Sequence, residues 1–166
     1  MTAPFSRADA EDLLYREAAY LDEGAWDDWL ALYTEDALFW MPAWRDELTP
    51  TADPDRELSL IYYEGRSGLE DRVVRARSGQ SVASHPRPRC LHMISNVRLI
   101  ECTADTAEIA STFTVFLHDV RAERTHNFFG RYSHTLRREA DAWRITRKYV
   151  LLLNDTIPTV VDFYSI

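Results

Sequence analysis

The residues with the clearest chemical potential are Cys90 and His92, which stand at the spacing of one arm of a Rieske-type iron–sulfur cluster. Such a cluster is bound by two thiolates and two imidazoles, and its second pair normally arrives as C-x-x-H. The only other cysteine is Cys102, and none of the three residues after it is a histidine. The chain therefore lacks the second arm and does not bind that cluster by itself.

Histidines are the other candidates for a metal site, and there are five: His85, His92, His118, His126 and His134. An iron site of two histidines and one carboxylate needs these groups to converge around open coordination positions. His118 is followed by Asp119, but neighbours on a strand point to opposite faces, so the pair is a poor chelate. His126 and His134 share a face of a regular strand, and two histidines alone do not define a metal site. No metal site is predicted.

Acid–base catalysis in a pocket is the sharper enzyme hypothesis for the chain alone. The groups suited to it are Asp36 as a general base together with Tyr62, Tyr63, His92 and His118. The alternative is that the tyrosines are amphipathic core residues and His92 is a hydrogen-bonded strand histidine. Sequence spacing does not place these groups in one pocket. The glycines are scattered singly, which excludes the usual dinucleotide and phosphate-loop motifs.

Composition limits the class of protein. With 166 residues, the chain fits one domain, predicted to span residues 1–166, which can bury roughly 70% of its unfolded surface. A net charge of −8 argues against nucleic-acid and anionic-membrane partners, because both are bound through lysine and arginine. The N-terminus has no apolar signal segment and no stretch is long enough to span a membrane, so a cytoplasmic protein with free thiols is expected.

Hydrophobic spacing predicts three helices and a sheet. Ser6 and Asp9 form a capping box before a helix that ends at Gly24, and further helices are predicted at residues 25–33 and 67–77. Short strands are predicted at residues 37–41 and 58–63, with a surface loop at 43–55 between them. Four long strands follow at residues 91–100, 107–120, 125–136 and 143–153. This order predicts an α+β domain in which a curved antiparallel sheet encloses a cone-like cavity.

Several segments resemble the small (β) subunit of bacterial aromatic-ring-hydroxylating (Rieske non-haem iron) dioxygenases. They are FSRADAEDLLYREA at 5–18, WLALYTEDALFWMP at 29–42, YYEGRSGLEDRV at 62–73, RCLHMISNV at 89–97 and NDTIPTVVDFYSI at 154–166. The resemblance covers nearly the whole chain. The segment WMPAWRDELTP at 40–50 is most similar to the anthranilate and benzoate dioxygenase group.

The resemblance implies a ketosteroid-isomerase-like (cystatin-like) α+β cone with three N-terminal helices packed on a long, strongly curved antiparallel sheet. It implies no catalytic, cofactor-binding or metal-binding residue in this chain. The Rieske 2Fe-2S cluster and the mononuclear Fe(II) would lie in a large (α) subunit that receives electrons from NADH through a reductase. Three small subunits would form a trimer with three large ones, and the complex would dihydroxylate an aromatic acid.

Interface residues are then expected among exposed aromatic groups. The candidates are Trp40, Trp44, Tyr62 and Tyr63, together with the apolar C-terminal residues Phe163, Tyr164 and Ile166. Each could instead fill the core of the domain. If the tail is an interface, deletion of residues 160–166 yields monomers or weakened assembly.

Three hypotheses therefore stand at this point. A non-catalytic oxygenase subunit is active only with its large partner. A stand-alone cone-fold isomerase or dehydratase turns over without partners. A small-molecule binding module has a ligand but neither turnover nor a large partner.

Overall fold

The computed structural model describes residues 5–79, 86–154, 157 and 161–166. Two residues named above, His85 and Val160, lie outside this part of the chain. No helix within the described residues is both long and apolar enough to cross a membrane.

Three helices form where the sequence predicts them: α1 at Arg7–Glu23, α2 at Trp26–Ala31 and α3 at Ser67–Arg77. The capping box is confirmed, because the Ser6 and Asp9 side chains each bond the other's backbone N–H. Gly24 ends α1 in the left-handed region, with φ 76°. Helix α2 is shorter than expected, since Tyr33 already belongs to the first strand.

Six strands follow: β1 at Tyr33–Pro42, β2 at Ser59–Glu64, β3 at Arg89–Cys102, β4 at Thr106–Asp119, β5 at Arg124–Glu139 and β6 at Ala142–Leu152. They form one sheet in the order β2-β1-β6-β5-β4-β3. The expected all-antiparallel sheet needs one correction, because β1 and β6 pair in parallel. Hydrophobic alternation identifies strands but not the direction in which distant strands pair. The tail adds a short 3-10 turn at Phe163–Ser165.

The four long strands alternate between an inner and an outer face, with shifts inside β3 and β6. On β4 the inner residues Ala107, Ile109, Phe113, Val115 and Leu117 are all buried. Helix α1 lies against this inner face, and the α+β fold class is confirmed. Irregular register within β3, where Asn96 has φ 53°, helps the long sheet to bend around the helices.

Candidate functional site

A cluster of charged and polar side chains lies at the centre of the core. It joins Glu17 of α1, Tyr33 of β1, His134 of β5 and Lys148 of β6, all of them buried. One carboxylate oxygen of Glu17 accepts hydrogen bonds from the Tyr33 hydroxyl at 2.5 Å and from the Lys148 ammonium at 2.9 Å. The other accepts from His134 Nε2 at 3.1 Å. Four elements distant in sequence are thus tied to one carboxylate.

The charges in this cluster are set by its geometry. Burial alone would raise the pKa of Glu17, but the Lys148 ammonium and the hydrogen bonds from His134 and Tyr33 outweigh it and keep that pKa well below its usual range. Burial lowers the pKa of His134, so its ring is neutral at pH 7 and donates through Nε2. Burial, followed by the Glu17 charge, raises the pKa of Tyr33 well above its ordinary value. The centre is therefore a compensated ion pair rather than a reactive acid or base.

Lys148 is the only lysine of the chain, and it is fully buried. Its ammonium lies 4.4 Å from the Tyr132 ring centroid and 5.7 Å from that of Phe39. The Tyr132 ring in turn stacks on Phe113 at 4.1 Å. Two aromatic faces thus add to the stabilisation of a cation that has no access to water.

Sequence reasoning missed this cluster, although a signal was present. Glu17 follows Leu13 and Leu14 at core spacing on α1, and Lys148 alternates with Val150 and Leu152 on β6. A charged residue at an inward position of both elements indicates a buried pair, because such residues are seldom buried without a partner. The two partners, Glu17 and Lys148, are 131 positions apart in the sequence.

His92, one of the acid–base candidates, lies on the inner face beside a residue that sequence reasoning did not select. Asp22, near the end of α1, accepts from the His92 backbone N–H at 3.0 Å and contacts Nδ1 at 2.6 Å. His92 Nε2 is buried and has no hydrogen-bond partner among the residues that the structure describes. An aspartate–histidine couple can act as a general base, but the His92 side chain is only 1% exposed and no reactant reaches it in this conformation.

The fold does not place the other acid–base candidates beside His92. Asp36 is exposed and pairs with Arg137 at 3.0 Å, and hydrogen bonds from Arg137 and Thr34 lower the pKa of Asp36 to about 2, which makes it a weak base. His118 contacts the Thr125 hydroxyl at 3.0 Å near one end of β4. The candidates therefore do not form one catalytic pocket.

Tyr62 and Tyr63 lie on opposite faces of β2. The Tyr62 hydroxyl donates to Glu64 at 2.7 Å on the exposed side. Tyr63 faces helix α3, where Arg72 bonds its hydroxyl and lies 5.6 Å from its ring centroid. Only Tyr62 is therefore placed for contact with another molecule.

The Cys90–His92 pair, which has the spacing of one arm of a Rieske-type cluster, is also not arranged to bind a metal ion. Cys90 and Cys102 lie near opposite ends of the same strand, and twelve residues of β-strand span roughly 40 Å. His92 is engaged by Asp22. Among the described residues, no group of three or more histidine, cysteine, aspartate or glutamate side chains is arranged to bind a metal ion.

The two free cysteines differ in environment, and this gives a first prediction. Burial, followed by the Asp22 charge, raises the pKa of the Cys90 thiol to about 12, whereas Cys102 is exposed. Since the thiolate is the reactive species, we expect native protein at pH 8 to react rapidly with a thiol reagent at Cys102 alone. Reagent counting before and after denaturation measures this. Cys102→Ser is the matched control, and fast labelling of that variant would contradict the prediction.

A row of paired residues crosses the outer face of all six strands. The register joins Tyr62, Trp40, Tyr149, Ser133, Ala110 and Arg98, one from each strand. The Trp40 ring lies 6.4 Å from that of Tyr62 and 5.2 Å from that of Tyr149. Half-buried aromatic rings on an outer face are typical anchors of protein interfaces.

The remaining interface candidates differ in how deeply they are buried. Trp44 is half-buried and donates to the Leu152 carbonyl at 2.8 Å. Phe163, Tyr164 and Ile166 are buried in the chain's own core, and Phe163 stacks on Trp29 at 4.9 Å. In this conformation the tail residues are packed intramolecularly, whereas Trp40 and Tyr62 lie on the outer face.

Comparison with known proteins decides the family. The family model described as "Ring hydroxylating beta subunit" matches residues 16–159. The chain belongs to this family. As a ring-hydroxylating β subunit, it acts within an oxidoreductase, a ring-hydroxylating dioxygenase.

Curated relatives and a solved structure agree with this assignment. The ring-hydroxylating β subunit is 41% identical to the small subunit of 2-halobenzoate 1,2-dioxygenase from Burkholderia cepacia, over 97% of this chain and 96% of that protein. It is 39% identical to the anthranilate 1,2-dioxygenase small subunit of Acinetobacter baylyi, over 92% and 93%. The crystal structure of the benzoate 1,2-dioxygenase β subunit from Burkholderia mallei superposes with a TM-score of 0.82, 36% identity and full coverage of both chains. The resemblance to the anthranilate and benzoate group is confirmed.

Proposed function

We propose that this β subunit is the non-catalytic assembly subunit of a dioxygenase that dihydroxylates a benzoate- or anthranilate-like aromatic acid during aromatic catabolism. The observation that carries the proposal is the full-length similarity to small subunits named for benzoate-type substrates. The enclosed interior supports a structural role, because its two histidine–carboxylate contacts are buried or nearly so.

The partner is a large subunit, which carries the Rieske 2Fe-2S cluster and the mononuclear Fe(II) and receives electrons from NADH through a reductase. We infer a cytoplasmic complex of three large and three small chains in which the small subunits form a trimer. This chain contributes a rigid base that keeps the large subunits in register. The aromatic row through Trp40, Tyr62 and Tyr149 is the candidate contact surface.

Co-expression with the large subunit tests this function. We expect a tagged β subunit to capture the large chain in equal amount, and the complex to oxidise benzoate or anthranilate when the reductase and NADH are supplied. The β subunit alone should show no turnover. Native mass by light scattering and substrate-dependent NADH consumption measure both. Turnover by the isolated chain, or a chain that binds no large subunit, would contradict the proposal.

A matched pair of variants distinguishes a role of the outer face in assembly from a role in the stability of the fold. Trp40→Ala removes an aromatic group of the row, whereas Trp29→Ala removes a core ring. We expect Trp40→Ala to weaken assembly while the free energy of unfolding changes little, and Trp29→Ala to lower the free energy of unfolding. Equal losses of stability in both variants would argue against an interface at Trp40.

A further inference from the structure

The outer face carries a groove of about 420 Å³. Its lining includes Arg98 from β3, Thr112 from β4, Arg131 from β5, and Tyr149 and Leu151 from β6. The groove continues the aromatic row at Tyr149. It therefore combines an apolar side with an arginine side.

The charges of the two groove arginines, Arg98 and Arg131, have no partner among the described residues. Both are exposed, and neither makes an ion pair or side-chain hydrogen bond with any residue that the structure describes. By contrast, Arg137 on the same strand as Arg131 contacts both Asp36 and Glu139. In a chain of net charge −8, two uncompensated guanidinium groups beside one groove favour an anionic occupant.

A chemically complementary pair of side chains, one apolar and one acidic, lies elsewhere on the same chain. We call residues 46–49 the Leu48 tip. The Leu48 side chain is 88% exposed, the most exposed large hydrophobic side chain among the described residues. Glu47 beside it is exposed and makes no ion pair with any described residue. The tip thus presents an apolar group next to a negative charge.

The Leu48 tip is ordered by its own hydrogen bonds. One oxygen of Asp46 accepts from the backbone N–H groups of Leu48 at 2.9 Å and Thr49 at 2.8 Å. The Arg45 N–H donates to the Thr49 carbonyl at 2.8 Å, and Trp44 and Pro50 form a β-bridge below the tip. A preorganised loop loses little conformational entropy on binding, so it is suited to insertion into a groove.

We propose that the Leu48 tip of one copy docks in the groove of a second copy, with Leu48 against the apolar side and Glu47 beside Arg98 and Arg131. The occupant is a second copy because the complementary charge and apolar group occur on this chain. Tip and groove are different surfaces, so the contact is heterologous, and such a contact forms a closed ring when the rotation between copies closes. The inference rests on the proposed function, of which it specifies the contact between β subunits in the trimer.

Charge reversal in the full-length chain tests the contact. The probe variants are Glu47→Arg, the double variant Arg98→Glu with Arg131→Glu, and all three changes together. We expect each reversal to weaken self-association roughly tenfold or more, and the triple variant to recover most of it because the charges are exchanged. Sedimentation at several concentrations measures the dissociation constant. Arg124→Glu, an exposed reversal outside the groove, is the control and should leave it unchanged.

The outcomes also separate this inference from the proposed function. A wild-type chain that is monomeric at every concentration, a triple variant as weak as the reversals, or reversals without effect would overturn the inference. If the groove reversal abolishes capture of the large subunit while self-association persists, the groove binds the large subunit and the inference is wrong. In that case the proposed function stands. It fails if the wild-type chain captures no large subunit or if the isolated chain shows turnover.

Discussion

Replacing Lys148 with methionine is expected to lower the free energy of unfolding by about 3–5 kcal/mol. Methionine keeps an unbranched side chain but removes the cation that contacts Glu17 at 2.9 Å in the core. The Glu17 carboxylate then stays buried with neutral partners only, or takes up a proton at a cost in free energy. Denaturant unfolding at pH 7, followed by circular dichroism, measures the change.

Two further variants identify the cause of the expected loss. The double variant Glu17→Gln with Lys148→Met removes both charges and should recover a large part of the stability, because no ion is left unpaired. Arg16→Met breaks the exposed Arg16–Asp12 pair and should cost about 0–1 kcal/mol. A Lys148→Met loss below that of Arg16→Met would show that the buried pair adds nothing to stability.

Replacing Phe163 with alanine is expected to lower the free energy of unfolding by about 3–5 kcal/mol as well. The Phe163 ring is 1% exposed and lies 4.9 Å from Trp29 and 5.6 Å from Trp26, so its removal leaves a cavity between the tail and α2. Thermal and denaturant unfolding of the purified chain measure the effect. Leu48→Ala, at an exposed position, is the control for loss of a large apolar side chain.

Because Phe163 belongs to the core, deleting the C-terminal tail does not show whether the tail is an interface. Deletion of residues 160–166 removes Phe163, Tyr164 and Ile166 from the core, so it is expected to unfold the chain. Loss of assembly after that deletion would follow from unfolding and would not identify an interface. A Phe163→Ala variant of unchanged stability but weakened assembly would instead place the tail at a subunit contact.

The separation of interior and outer face explains how a cone fold can serve assembly. The inner face is closed by α1 and by polar groups that bond one another, such as Glu17 with Lys148. The outer face keeps side chains that gain from a partner, such as Trp40, and Arg98 and Arg131, which form no ion pair with any described residue. Recognition is therefore expected on the convex surface rather than in the cavity that cone-fold enzymes use.

The sequence by itself determined the elements and the family. The capping box at Ser6, the end of α1 at Gly24 and the bounds of α3 depend on contacts between near neighbours, and they are confirmed within a residue. Runs of β-branched and aromatic residues with stretches of alternation predicted the four long strands, because side-chain direction follows the period of the strand. The family resemblance was confirmed because its segments extend over nearly the whole chain.

Only the tertiary structure decided the long-range relations. The parallel pairing of β1 with β6, the Glu17–Lys148 pair and the Asp22–His92 couple join residues that are at least 70 positions apart in the sequence. The burial of Phe163 and the half-buried position of Trp40 on the outer face were likewise undetermined, since an apolar residue type fits a core and an interface equally well. Local sequence sets which face of an element is apolar, whereas only the packing of all elements decides what covers that face.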